Sequence, residues 1–146
     1  MAATALERTI EEAVIGLLKT AIPDLAASVF HANQSADDLD VPRITVEAQS
    51  LNEYVTGTGV YRVQVTAILE NNAHDVVPDA HDLQWALLVS VFAASTFPSS
   101  ICSGELFAYP VYRKQTATDR SENSWRNTAT VEFCACLNRP VVVPAP

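Results

Sequence analysis

Residues 124–138, SWRNTATVEFCACLN, alternate without a break between the two sides of an extended chain. Trp125, Asn127, Ala129, Val131, Phe133, Ala135 and Leu137 fall on one side, and Arg126, Thr128, Thr130, Glu132, Cys134, Cys136 and Asn138 on the other. One side is mainly apolar and the other mainly polar, which is the signature of a strand with one buried face. A strand of roughly fifteen residues far exceeds the usual five or six. It is therefore either central in a sheet or overhangs the sheet to reach a partner. Trp125 and Arg126, at its start, are the residues expected to overhang.

The rest of the pattern switches between two periods. Ala3, Leu6, Ile10, Val14, Leu17, Leu18 and Ala21 recur at helical spacing, so residues 4–20 predict an amphipathic helix with Glu7, Arg8, Glu11, Glu12 and Lys19 off its apolar face. Thr4 and Glu7 match a capping box at its start, and Pro23 stops it. Residues 23–40 read as a connecting segment. Two alternating stretches follow, 43–51 and 60–69, joined by the loop 52–59 that carries Tyr54 and two of the chain's four glycines. They predict an antiparallel hairpin.

From Pro78 the period returns to helical, with Asp79 as an N-cap and an almost wholly apolar run from Trp85 to Ala94 that calls for cover on two sides. Residues 105–113 predict a third strand, placed at an edge or bulged because Pro110 has no N–H for a ladder. Residues 114–123, KQTATDRSEN, show neither period and read as an exposed, mobile hairpin loop before the long strand. The sum is an α+β domain over residues 1–139: a four-stranded, mostly antiparallel sheet with two helices packed on one face. Residues 140–146, with three prolines and the run Val141, Val142, Val143, read as an extended tail whose apolar part packs on a neighbour.

Composition narrows the possible functions. The chain has 146 residues, 49% of them hydrophobic, and a formal net charge of -8, enough for one core and opposed to a surface that grips nucleic acid throughout. The apolar stretch 85–97 is too short to span a bilayer, and the acidic start does not read as a signal peptide. A cytosolic product is the expectation. Three cysteines, Cys102, Cys134 and Cys136, form no disulfide or zinc pattern and read as packing residues.

Candidate chemistry is sparse. His74, Asp75, Asp79, His81 and Asp82 carry ligand-type side chains, but the two histidines lack the spacing that puts them on one helix turn. A polar loop running into an N-cap and an acidic first helical turn is the preferred reading of them, since helix starts recruit these residues without any metal. Ser99, Ser100 and Ser103 have no nucleophile elbow, and residues 56–59, TGTG, lack the lysine and helix of a phosphate loop. The remaining feature is a cationic group, Arg113, Lys114, Arg120 and Arg126, with Trp125 among them. With Asp119 and Glu122 in the same segment a solvated loop is the first reading and phosphate contact the last; protein contact ranks between them, since arginine and tryptophan are favoured interface anchors, and these residues, together with Tyr54 and Val141, Val142 and Val143, are the candidate interface. No catalytic, cofactor-binding or metal-binding residues are expected.

The order and spacing of helix 4–20, PRITVEAQ, GVYRVQVTAIL, the helix from Pro78 and SWRNTATVEF resemble the tail terminator and tail-completion proteins of long-tailed bacteriophages, the minor tail protein U type. The resemblance implies a structural virion protein without catalysis, made in the host cytoplasm and built into the head-proximal end of the tail. Its copies would form a ring, commonly of six, that caps the tail tube, stops its polymerisation and meets the head–tail connector, with DNA passing only through the lumen. A head-completion or neck adaptor of the same virion is the alternative. A small metal-dependent enzyme using the segment from His74 to His81 is the alternative from another class.

Overall fold

The computed structural model describes residues 5–31, 43–57, 59–72, 78–94, 97–103, 106–109, 114–120 and 124–137. Helix α1 (Ala5–Ala21) leads through a 3-10 turn (Pro23–Leu25) to strand β1 (Val29–His31) and then to the hairpin β2 (Arg43–Val55) and β3 (Val60–Asn72). Helix α2 (Pro78–Ala93) and the single-turn α3 (Phe97–Ser100) precede β4 (Leu106–Tyr109), β5 (Lys114–Arg120) and β6 (Ser124–Leu137). Pro78 occupies the first helical position, where its missing N–H has no partner to lose. Asp79 therefore lies inside the first turn instead of capping it.

All six strands join one sheet in the order β1-β2-β3-β6-β4, with β5 also on β6. β4 pairs with the end of β6, from Leu106 opposite Leu137 to Tyr109 opposite Cys134. β5 pairs with its earlier part, from Lys114 opposite Val131 to Arg120 opposite Trp125. The two short strands thus share one edge of β6. β1 runs parallel to β2 and the other pairings are antiparallel, so the sheet is mixed.

The chain is α+β, and the sheet exceeds the four expected strands at two places. β1 arises within the segment read as a connection, and β5 within the segment read as a mobile loop. Neither has an apolar alternation of its own; each is made a strand by a longer neighbour that offers unpaired backbone groups. The length of β6 has the same origin. It is flanked by β3 along one side and by β4 and β5 along the other. Its start does not overhang: Trp125 lies opposite Asn71 on one side and Arg120 on the other.

Both long helices cover one face. α1 packs on β2, α2 on β6, and the two helices meet. Ile44 and Val46 from β2, Val63, Val65, Ala67 and Leu69 from β3, and Ala129, Val131, Phe133 and Ala135 from β6 are buried beneath them. Ile10, Val14 and Leu18 from α1 and Leu88 and Phe92 from α2 close the core. Phe97 stacks against Phe92 at 5.1 Å and edge-on to Phe133 at 5.7 Å between ring centroids. α2 is not enclosed all round, since Leu83, Ala86, Ser90 and Ala93 form an exposed stripe.

Candidate functional site

The far end of the β2–β3 hairpin is built by two bulges. The register slips between Ser50 and Asn52 and again between Glu53 and Val55, leaving Leu51 and Tyr54 as the extra residues. A bulge re-aims the side chain it inserts, and these two are 41% and 52% exposed, among the few large apolar side chains that face water. The turn that follows is clamped from within. Glu53 accepts the N–H of Gly57 at 2.9 Å and that of Gly59 at 3.0 Å. Both glycines have positive φ, 83° and 75°, a conformation side chains resist. The two backbone amides hold the Glu53 carboxyl below the usual carboxylate range. The apolar pair thus lies on a tip whose turn is hydrogen-bonded to Glu53.

The sheet face opposite the helices is mainly polar, with Phe30 and Ile68 as half-buried apolar members, and is uncovered by any described element. Thr45, Thr66, Thr128 and Thr130 lie half-buried at its centre, with Gln49 and Gln64 beside them. Ion pairs lie toward both ends: Arg62 Nη2 meets Glu132 Oε1 at 2.7 Å, and Arg43 Nη2 meets Glu70 Oε1 at 3.4 Å. Arg43, Glu70, Arg126 and Asp119 are successive cross-strand neighbours. That row alternates in sign, which suits a solvated sheet surface. Cys134 also belongs to this face, where burial pushes its thiol up against a smaller opposing pull from Arg62. It is a packing group rather than a nucleophile.

His81, one of the ligand-type residues of the sequence, lies at the start of α2. It is buried, its Nε2 lies 2.8 Å from Asn127 Oδ1, and its Nδ1 faces Asn71 Nδ2. An amide nitrogen donates only, so Nδ1 accepts and Nε2–H donates to Asn127. With both ring nitrogens hydrogen-bonded, His81 pins the start of α2 to β3 and β6. Among the described residues no group of three or more His, Cys, Asp and Glu side chains could hold a metal ion. His74 and Asp75 lie outside the described residues.

The candidate interface residues are not brought together as one patch. Lys114 and Arg120 stand at the two ends of β5, about 20 Å apart at strand rise, and only Arg120 neighbours Trp125 and Arg126. Arg126 is exposed. Tyr54 lies at the opposite end of the sheet, because β3 runs from the Glu53 partner Tyr61 to the Trp125 partner Asn71. Arg113, Val141, Val142 and Val143 lie outside the described residues. Sequence reading missed Leu51, which the alternation assigned to the strand as an ordinary member. A bulge leaves no signal in hydropathy.

No protein-family model matches this chain, and no curated protein does.

Proposed function

We propose that this chain is a structural virion protein, a tail terminator whose copies close into a ring at the head-proximal end of a phage tail tube. The observation that supports the reading is the separation of two candidate contact regions along one sheet. The bulge-aimed pair Leu51 and Tyr54 occupies one end, and exposed Arg126, beside the strand positions Trp125 and Arg120, the other. The two are roughly 30 Å apart at strand rise. A ring is closed by head-to-tail contacts, and these need two different patches on each copy. The exposed stripe on α2 offers a further surface for the tube or the connector. Ring size, six in the resembling family, follows from the angle between neighbours.

Sedimentation velocity and negative-stain imaging of the purified chain, alone and with the tube protein of the same particle, test this. Rings, or tubes whose growth stops when the chain is added, are the expected result. Monomer alone at high concentration, with tube growth unaffected, overturns the proposal. Rings found on capsids that lack tails would instead assign the chain to the neck.

A further inference from the structure

Among the described residues Glu11 is the only buried carboxylate, its side chain 4% exposed against 35% for the His31 ring that it meets. Its two oxygens serve two donors from two strands. Oε2 accepts the backbone N–H of Ala48 at 2.9 Å, and Oε1 lies 2.9 Å from His31 Nδ1. An ionised carboxylate only accepts, so Nδ1 carries the hydrogen of the second bond. The Ala48 N–H belongs to the outer edge of β2, beyond the three residues that β1 covers.

The other charged groups nearby are turned elsewhere. Arg43 and Glu47 of β2 alternate with buried Ile44, Val46 and Ala48, which places them on the opposite sheet face. Arg8, Glu12 and Lys19 of α1, Asp24 and Asp82 are exposed, and His81 of α2 is held by Asn71 and Asn127. Glu7, one turn before Glu11, takes the N–H of Ser50 at 2.7 Å but is half-buried.

Counting protons on the Glu11–His31 pair decides what this arrangement does. A first added proton, on the imidazole, leaves both bonds in place, because the imidazolium still donates through Nδ1–H. A second, on the carboxyl, leaves one carbonyl oxygen for two donors and adds an O–H facing an imidazolium that cannot accept it. The charged donor makes the stronger bond and keeps the carbonyl oxygen, so the neutral Ala48 N–H loses its partner. Glu7 escapes this conflict, since a half-buried carboxyl turns its O–H to water and serves Ser50 with the other oxygen.

We infer that Glu11 and His31 form a proton-counting latch on the sheet edge, closed over Ala48 with up to one added proton and opened by the second. α1 stays in place when the latch opens, because Ile10, Val14 and Leu18 remain in the core. The β2 edge is then bare at Ala48, and a bare edge is open to pairing with another strand. The latch works within one copy and does not depend on ring assembly.

Amide hydrogen exchange of the full chain, followed by NMR at decreasing pH and expressed as protection relative to the unfolded chain, tests it. Protection of the Ala48 amide should fall by about tenfold or more in acid, while the Ser50 amide and those between β3 and β6 keep theirs. Glu11→Gln should hold the Ala48 protection level over the same range, because its amide oxygen takes up no proton. His31→Asn should hold it too, because its amide offers an oxygen to the Glu11 O–H. Circular dichroism checks that both variants are folded. Loss of Ala48 protection only together with the β3–β6 amides overturns the inference, as does loss of Ser50 together with Ala48. An acid step unchanged in Glu11→Gln also overturns it.

Discussion

Glu11, on the helix that covers the sheet, accepts the backbone N–H of Ala48 through Oε2 at 2.9 Å, although its side chain is almost entirely buried. Its other oxygen meets His31 Nδ1 at 2.9 Å, and one turn earlier Glu7 Oε2 takes the N–H of Ser50 at 2.7 Å. The pattern has a simple cause. Alternate N–H groups of β2 point away from β3, and the first of them, Ile44, is met by Ser28 O at the start of β1. β1 is only three residues long. Beyond it the edge would be bare, and α1 supplies carboxylates at i and i+4 in place of a strand.

Removing that substitute should leave a buried donor unsatisfied. Glu11→Ala is expected to lower unfolding stability by about 2–3 kcal/mol, and Glu7→Ala by less, because its bond is only part-buried. Glu11→Gln should lose under roughly 1 kcal/mol, since an amide oxygen still serves Ala48 and the amide nitrogen can donate to His31. Urea melts of the three variants check the ranking. Equal losses for the alanine and glutamine variants would mean that charge, not acceptor geometry, holds the edge.

His81 should behave as a structural linchpin. Its replacement by Ala strips partners from the buried amides of Asn71 and Asn127 and opens space at the start of α2. A loss of about 2–4 kcal/mol is expected. A double-mutant cycle of His81→Ala and Asn127→Ala should give a coupling of about 1 kcal/mol or more. Added zinc should leave the melting temperature of the native chain unchanged through this site. Coupling near zero would remove the hydrogen-bonded relay from the account.

These two sites also show what the sequence reveals and where it stops. The alternation in β2, β3 and β6 and the helical period in α1 identified the buried face residue by residue, from Ile44 to Ala135, because burial on one side imposes periodicity. Glu11 was assigned to the polar side of α1 because nothing in its own helix indicates an open N–H on Ala48, thirty-seven positions away. The strand from Lys114 to Arg120 was hidden for a related reason: KQTATDR carries no apolar face, and its pairing is dictated by the free edge of β6. The role of His81 was not legible in sequence because its two asparagine partners come from different strands. Of the candidate interface, Tyr54 is exposed at a rigid tip, whereas the cationic group is divided between the ends of β5.

Glu53 should titrate below an ordinary glutamate, because its charged form accepts the two glycine amides. A folded value lower than the unfolded one means the contribution to the turn is fully present above the ordinary carboxylate range. It is lost as pH falls through the folded value. Following the Glu53 carboxyl and the Gly57 and Gly59 amides by NMR should show all three moving together at a pH below the ordinary glutamate range. Titration at or above an ordinary glutamate would show the clamp to be open in solution. Glu53→Gln should abolish the shared transition while leaving the sheet folded.

The exposed pair on the clamped tip provides the sharpest separation of assembly from folding. Leu51 and Tyr54 are bulge residues with about half their surface in water, so they contribute little to the core and much of their apolar area is available to a partner. Leu51→Ser with Tyr54→Ser should shift the melting temperature by under about 3 °C, as surface changes away from packed sites change stability by only a few tenths of a kcal/mol. If the tip docks on the next copy, losing two large side chains from the centre of a contact should weaken association by about 2–4 kcal/mol, or roughly 30-fold to 1000-fold. Sedimentation velocity across a concentration series measures this directly. The control is Thr128→Ser on the open sheet face, far from the tip, which should change neither quantity. Loss of folding with assembly unchanged would place Leu51 and Tyr54 in the support of the hairpin and remove them from the interface.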